Sequence, residues 1–350
     1  MIRHANGMSL LMLAPFSNGP SRGNLVTVSR TVRILRQEGL SVVVADCQQS
    51  LSADQLTPLI MAEDCRLIHG FHAYHTGLLA YDLYQRSGIP YILTITGSDL
   101  FDPLYRDHVG TIRAVQAAAR IICFDKTIAV RVAEAFAIPM DNLCVIPQSV
   151  DWYPDDGERY RSSRSGGVIL LPAALRPVKG VCEAIQALAP IAESLSFELL
   201  VAGGDIDAEY GDAVRRAAEQ YHFVKVLGDV PHDQMGYYYR GADIVLNSSW
   251  FEGGLPNGII EALAMGCPVV ARDIVGNRAA IRDGVDGSLF HSDEELQAQI
   301  VRLLSNRDHM RGERTARADF ARQRFSPARE ASELLACYRE VLTLPPNTLF

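Results

Sequence analysis

No stretch of this sequence stays apolar for the roughly 20 residues that a membrane-spanning helix requires. Runs such as Ser9–Pro15 and Val269–Ala271 stop far short of it. The opening Met1-Ile2-Arg3-His4 lacks the apolar core and small-residue cleavage site of a secretory signal, so a cytoplasmic setting is expected. Positive charge is in deficit: 33 Lys and Arg stand against 41 Asp and Glu, a formal net charge of −8. Such a chain has no overall field to gather nucleic acid or an anionic membrane, and any phosphate site has to be built locally. The seven cysteines (47, 65, 123, 144, 182, 267, 337) include no Cys-x-x-Cys pair, and most sit in apolar runs such as Ile121-Ile122-Cys123-Phe124. The expectation is structural thiols, with neither zinc nor disulfides. Repeats and low-complexity tracts are also missing.

What remains is an ordinary globular composition, 48% apolar and 21% charged over 350 residues, enough for about two domains. Disorder, collagen and coiled coil are excluded. Short β-rich apolar runs alternate with helix-length amphipathic segments, the pattern of helices packed on both faces of a parallel sheet. Strands are expected at Ser9–Ala14, Ser41–Asp46, Leu67–His69, Tyr91–Thr94, Ile121–Phe124 and Leu143–Ile146. The clearest helix is Leu25–Glu38, with Val28, Val32 and Leu35 on one face and Gly39 stopping it. Asp, Pro, Gly, Arg and Ser then dominate, so 151–166 is expected to be a linker. The alternation restarts with Val168–Leu171, Phe197–Ala202, Val224–Leu227, Ile244–Asn247 and Val269–Ala271, and the tail from Asp293 is expected to be helical almost to Leu344. The fold class is α/β, two doubly wound domains in series: 1–150 and 167–325, with 326–350 as a C-terminal helix and tail. Ligands of such sheets bind beyond the carboxyl ends of the strands.

The most informative stretch runs from Ser248 to Pro268. It follows a strand, passes through Glu252-Gly253-Gly254-Leu255-Pro256-Asn257, and opens a helix that ends at Gly266. Loop amides from Gly253 to Asn257 and the positive end of the helix make an anion site. Glu252 and Glu261 bracket it, each able to accept paired hydrogen bonds from vicinal hydroxyls. Upstream, Leu175-Arg176-Pro177-Val178-Lys179-Gly180 places two cations where a helix begins, suited to a pyrophosphate. His69, His72 and His75 follow a strand, but their spacing makes no metal set, and Asp205-x-Asp207 reads as a helix cap and loop rather than a metal motif. No Gly-x-Gly-x-x-Gly follows the first strand and no P-loop occurs, which disfavours a Rossmann dehydrogenase.

The Ser248–Pro268 stretch resembles the Glu-x7-Glu signature of retaining GT-B glycosyltransferases of family 4, and the similarity runs from about Ser9 to Leu342. Two departures stand out. Eight residues separate Glu252 from Glu261, and Ala174 occupies the slot five before the lysine where the family commonly has arginine, with Arg176 as the substitute. The resemblance implies a GT-B fold: two Rossmann-like doubly wound domains facing a cleft, with C-terminal helices. Residues 1–150 would form the acceptor side and 167–325 the nucleotide-sugar donor side. It implies that Glu252 binds donor sugar hydroxyls and Glu261 the ribose. Lys179, Arg176 and the amides of Gly253, Gly254, Leu255, Pro256 and Asn257 would meet the diphosphate; Gly23 joins the donor set, and Val230 stands where the base is recognised. His72 would line the cleft, and Arg22, Asn24, Thr96 and Asp99 would lie on the acceptor side. The implied reaction is transfer with retention and without metal or cofactor, the partners being small molecules and not nucleic acid.

The departures cluster. Ser-Arg-Gly-Asn (21–24), His-Ala-Tyr (72–74), Thr-Gly-Ser-Asp-Leu (96–100), Gln-Ser (148–149) and Val-Gly-Asn (275–277) are similar to a narrower branch. That branch holds the selenosugar synthases, which join a UDP-sugar to selenophosphate, and glycosyltransferase-1-domain-containing proteins. A nucleotide-sugar 2-epimerase and a catalytically silent nucleotide-sugar-binding protein are the readings from other classes. Base, sugar, acceptor and oligomeric state stay open at this point.

Overall fold

The fold is seen in a computed structural model that describes residues 9–15, 23–49, 51–154, 156–162 and 166–343. The chain divides into two compact units; among the described residues the first holds 9–149 and 326–343, the second 150–325.

The first unit is built on six parallel strands: β1 (Ser9–Ala14), β2 (Ser41–Asp46), β3 (Cys65–Phe71), β4 (Tyr91–Thr94), β5 (Arg120–Cys123) and β6 (Leu143–Val145). Their order is β2-β1-β3-β4-β5-β6. All six residues of β1 are buried, as expected of a central strand covered on both faces. Because side chains alternate across a strand, Leu10, Met12 and Ala14 share one face; there they join Val28, Val32 and Leu35 of the helix Gly23–Gln37. That helix starts two residues before the expected Leu25 and ends one before Glu38.

The second unit repeats the plan with β7 (Gly167–Pro172), β8 (Phe197–Ala202), β9 (Val224–Gly228), β10 (Ile244–Asn247), β11 (Val269–Arg272) and β12 (Ser288–Phe290). Their order is β12-β11-β10-β7-β8-β9. Ile169, Leu171, Leu199, Val201 and Leu246 pack with Val181, Ile185 and Leu188 of the helix Val181–Ala192 and with Ile300 and Leu304. In each sheet the chain runs outward in both directions from an inner pair, β1 and β3 in the first, β7 and β10 in the second. These are the switch points where loops at the carboxyl ends diverge and leave room for a ligand.

The tail is not one helix. It runs as Asp293–Ser305, Arg307–Gly312, Arg314–Arg324 and Pro327–Thr343, broken at Asn306, at Glu313 and before Pro327. Its last piece belongs to the first unit, where Ala331, Leu334, Leu335, Tyr338 and Val341 enter the core beside β1 and β3. His69 of β3 lies wholly buried between Tyr338 (Nδ1 to Oη, 2.8 Å) and Thr94 (Nε2 to Oγ1, 2.7 Å), and burial pushes its imidazole down to about 3. It is a neutral structural histidine.

A second polar tie is ionic. Arg30, buried in the first helix, stands 3.8 Å from Glu330 and donates to Gln148 Oε1 at 2.8 Å, while Glu330 accepts the Ser149 amide at 2.7 Å. Removing one member of a buried pair leaves the other charge uncompensated, at a cost of about 3–5 kcal/mol. Glu330→Ala is therefore expected to destabilise the first unit by about that much, read as faster native-state hydrogen exchange of the β1 and β3 amides; unchanged exchange would show that the pair carries no stability.

Candidate functional site

The loops leaving β7 and β10, the inner pair of the second sheet, are laced together. Trp250 N–H donates to Val178 O at 2.8 Å and Ser248 Oγ to Lys179 O at 2.9 Å. Pro177–Lys179 form one 3-10 turn, and the helix begins only at Val181, two residues after the lysine. Gly180 between them has φ +60°, and a Cβ there would stand 2.6 Å from Ser248 O, so glycine is required on both counts.

This lacing brings Lys179 to Glu252. Nζ lies 2.5 Å from Oε1, with both side chains largely buried. Ser249 Oγ donates to the same oxygen at 2.7 Å and Asn247 Nδ2 at 3.4 Å. Asn277, fully buried, donates to Asn247 Oδ1 at 3.4 Å and to Arg272 O at 2.8 Å. Lys179, Ser249 and Asn247 all converge on Oε1, so Oε2 accepts from none of the described residues. Arg176 is exposed beside the turn and adds its positive charge.

Gly253–Pro256 are buried and lead into the helix Asn257–Ala264, whose N-cap Pro256 offers no side-chain acceptor. The far end of that helix is held by guanidinium groups: Arg314 donates to Met265 O at 2.8 Å, Arg317 to Gly266 O at 3.2 Å and Arg322 to Ala264 O at 3.1 Å. Cations there also suit the negative end of the helix. Glu261 lies on the buried side of this helix. Its Oε1 is 2.9 Å from His232 Nε2, and its Oε2 accepts from Tyr239 Oη at 2.9 Å. His232 in turn lies 3.0 Å from Tyr153 Oη. Val230, in the turn after β9, is buried.

Asn247, Ser249, His232, Tyr239 and Tyr153 were not among the expected site residues. Asn247 carried a signal, a polar side chain ending an otherwise apolar strand. Ser249 stands only three residues before Glu252, whereas His232, Tyr239 and Tyr153 come from positions whose spacing to the acids follows no local period.

In the first unit, Gly23 and Asn24 open the helix that follows β1; Arg22 lies outside the described residues. His72 follows β3 with φ +70° and caps the helix Ala73–Ser87. Its Nδ1 accepts the His75 amide at 3.4 Å, which puts the proton on Nε2, 2.8 Å from Ser98 Oγ. Burial pushes the imidazole down, and Asp99 partly offsets this. Asp99 is buried and accepts from the amides of Ala73, Thr96 and Gly97 at 2.7–3.2 Å, fixing the two loops to each other. The Thr96 hydroxyl is buried without a partner among the described residues. Asp207 caps the helix Ala208–Gln220 and Asp205 pairs with Arg215; no group of three or more His, Cys, Asp or Glu among the described residues could hold a metal ion.

Burial is the largest influence on Glu252 and pushes its carboxyl up. The charge and hydrogen bond of Lys179, the Ser249 hydroxyl and Arg176 act the other way and hold it below its ordinary value. A carboxylate depressed in the native state adds stability above its unfolded value and loses it as pH falls through the native one. Lys179→Met removes the largest of the lowering influences, so the native value rises and that contribution shrinks. Thermal midpoints between about pH 3 and pH 7 are expected to differ most at the upper end and converge in acid; a gap independent of pH would refute the ion pair.

Comparison with known proteins matches residues 166–306, within the second unit, to the family model "Glycosyl transferases group 1". A D-inositol 3-phosphate glycosyltransferase of Segniliparus rotundus is 28% identical over 303 residues, 79% of this chain and 66% of that protein, so the chain spans just under two thirds of the relative's length. Among solved structures, sucrose-phosphate synthase from Thermosynechococcus elongatus superposes with a TM-score of 0.79 at 16% identity, over 95% of this chain and 99% of that one. Anabaena Alr3699/HepE in complex with UDP-glucose gives 0.75 at 16% identity, over 95% and 100%. No helix among the described residues is long and apolar enough to cross a membrane. The two parallel six-stranded sheets are those of the GT-B glycosyltransferase fold, and the second of them carries the match to the group 1 glycosyl transferases.

Proposed function

We propose that the chain is a retaining, metal-independent glycosyltransferase that moves a sugar from a UDP-sugar to a small phosphate-bearing acceptor. The observation that carries this reading is the meeting of Lys179 and Glu252 at the carboxyl ends of β7 and β10, beside a glycine-rich loop that opens a helix. A nucleoside diphosphate sugar presents a pyrophosphate and a hydroxyl-rich ring side by side. The pair and loop present a cation with backbone donors for the first and a carboxylate for the second.

In this reading Lys179, Arg176 and the amides from Gly253 to Asn257 stabilise the charge growing on the diphosphate as the glycosidic bond breaks, the kind of electrostatic aid that acts on the transition state. Glu252 Oε2 accepts from the sugar hydroxyls, Glu261 from the ribose, and the Val230 segment meets the base. Neither carboxylate serves as a nucleophile, because both are ligands of the donor. In the first unit Asn24, Thr96 and Asp99, together with Arg22, serve the acceptor side, while Gly23 joins the donor set and His72 the catalytic residues. The solved Anabaena relative holding UDP-glucose supports the choice of uridine, and the inositol phosphate in the name of the Segniliparus relative supports a phosphorylated acceptor. Similarity to the selenosugar synthase branch makes selenophosphate the first such acceptor to try.

The test is incubation with UDP-glucose or UDP-N-acetylglucosamine, with and without selenophosphate or inositol 3-phosphate, following UDP release, product mass and anomeric configuration. Acceptor-dependent release with the donor's configuration kept is the expected result. Conversion of the donor alone would mean an epimerase, and UDP binding without turnover a silent binding protein; either refutes the proposal. Lys179→Ala is expected to lower kcat by about 10²–10³-fold. Glu261→Ala is expected to weaken UDP binding about tenfold, the loss of one to two charge-assisted hydrogen bonds.

A further inference from the structure

The two sulfurs of Cys144 and Cys337 lie 3.5 Å apart although the residues are 193 positions apart in sequence. Cys144 is in β6, the edge strand of the first sheet, where all three residues are at least partly open to solvent. Cys337 is buried on the inner face of the helix Pro327–Thr343. Arg120, on the neighbouring strand β5, forms an ion pair with Glu340, one turn further along the same helix, so a guanidinium stands beside the sulfur pair. None of these residues belongs to the site described above.

The pair is electronically unequal. Cys337 donates its S–H to Cys144. That hydrogen bond, with help from Arg120, outweighs burial and holds the Cys144 thiol below its ordinary value, while the same bond and burial push Cys337 up. Cys47, Cys65, Cys123, Cys182 and Cys267 are all pushed up, each chiefly by burial. Among the seven cysteines Cys144 is both partly open to solvent and held below its ordinary value, and a second thiol faces it.

We propose that Cys144 and Cys337 are a redox modification site, forming a reversible disulfide on contact with a hydroperoxide. The Cys144 thiolate attacks the distal peroxide oxygen; the O–O bond breaks, the sulfur is oxidised to a sulfenic acid, and the departing oxygen leaves as water or alcohol after taking a proton. Cys337 sulfur then attacks the sulfenic sulfur, losing its proton as hydroxide leaves, so that the second step releases water. Two thiols and one hydroperoxide thus give one disulfide, one water and one alcohol or second water. The sulfurs have to approach by roughly 1.5 Å to reach disulfide bonding distance. An edge strand with only one neighbouring strand is the element free to give that distance. The bond would fasten β6 to the C-terminal helix and enclose residues 150–325, the described part of the second unit, within one covalent loop.

The test uses the full-length native protein, exposed to a stoichiometric amount of hydrogen peroxide, then denatured, alkylated with iodoacetamide, digested and mapped by mass spectrometry. The expected result is loss of two hydrogens and of two of the seven alkylatable thiols, with a Cys144–Cys337 linked peptide that dithiothreitol reverses. Cys337→Ser is expected to strand the reaction at a Cys144 sulfenic acid, captured by dimedone. Seven thiols still alkylated, or a linkage between any other pair, overturns the proposal, and this wild-type experiment decides even where a variant fails to fold.

Discussion

Burial works against a carboxylate's charge and a cation set against it works for it, and where β10 ends that cation is Lys179 on a loop from β7. Burial alone would push the Glu252 carboxyl up. The loops bearing the two residues are therefore committed to each other, and the surrounding contacts serve that commitment. Ser248 holds the Lys179 carbonyl, Trp250 holds the Val178 carbonyl, and Asn277 steadies Asn247, which in turn reaches Glu252. Arg272 stacks on the Trp250 ring at 3.9 Å and donates to Ser248 O at 3.1 Å, bracing the outer side. The result is a cation and an anion held charged without a ligand, each with donor or acceptor capacity to spare.

Glu261 is held by other means. Its partners are a tyrosine hydroxyl and an imidazole, and the position of its helix is fixed at the far end by three arginines on backbone carbonyls. The first acid answers to a charge that a diphosphate could draw away; the second answers to hydrogen bonds, one of them from the fully buried Tyr239. In the proposed reaction that division fits their tasks. The sugar ligand has to respond as charge develops, whereas the ribose ligand need only hold still.

The sheets were legible because both are parallel and covered on both faces, so that β1, β4, β8 and β10 read as apolar runs with almost no polar interruption. Ser288–Phe290 escaped because only two apolar residues stand between Gly287-Ser288 and His291, whereas the equally short β6 lies in the apolar run Leu143–Ile146. The tail was legible as helical but its division was not, because helix propensity hardly distinguishes one long helix from four; what breaks it are local turns at Asn306 and Glu313 and the proline at 327. Which unit the last helix joins was invisible, since Leu334, Leu335 and Tyr338 would suit either core. Around the candidate site, Lys179 and Glu252 stood out as charged residues in loops that leave strands, and Glu261 as a carboxylate in the helix the second loop opens. Tyr239 and His232 were not, because they lie 22 and 29 positions from the carboxylate they serve.

The residue by which this sequence exceeds the Glu-x7-Glu signature it resembles also has a physical place. Ile259, Ile260, Ala262 and Leu263 are buried, so the core fixes the register of the helix Asn257–Ala264 and with it Glu261. Lys179 fixes Glu252 at the other end. One additional residue can be taken up only in Gly253–Pro256, and there two glycines adapt while Leu255 anchors the loop in the interior. Space for it comes from the neighbouring helix: a Cβ on Gly276 would stand 2.5 Å from Glu252 O and 2.8 Å from Gly254 O. Gly276 and Asn277 are thus two halves of one arrangement, the first making room for the longer loop and the second holding, through Asn247, the carboxylate from which it starts.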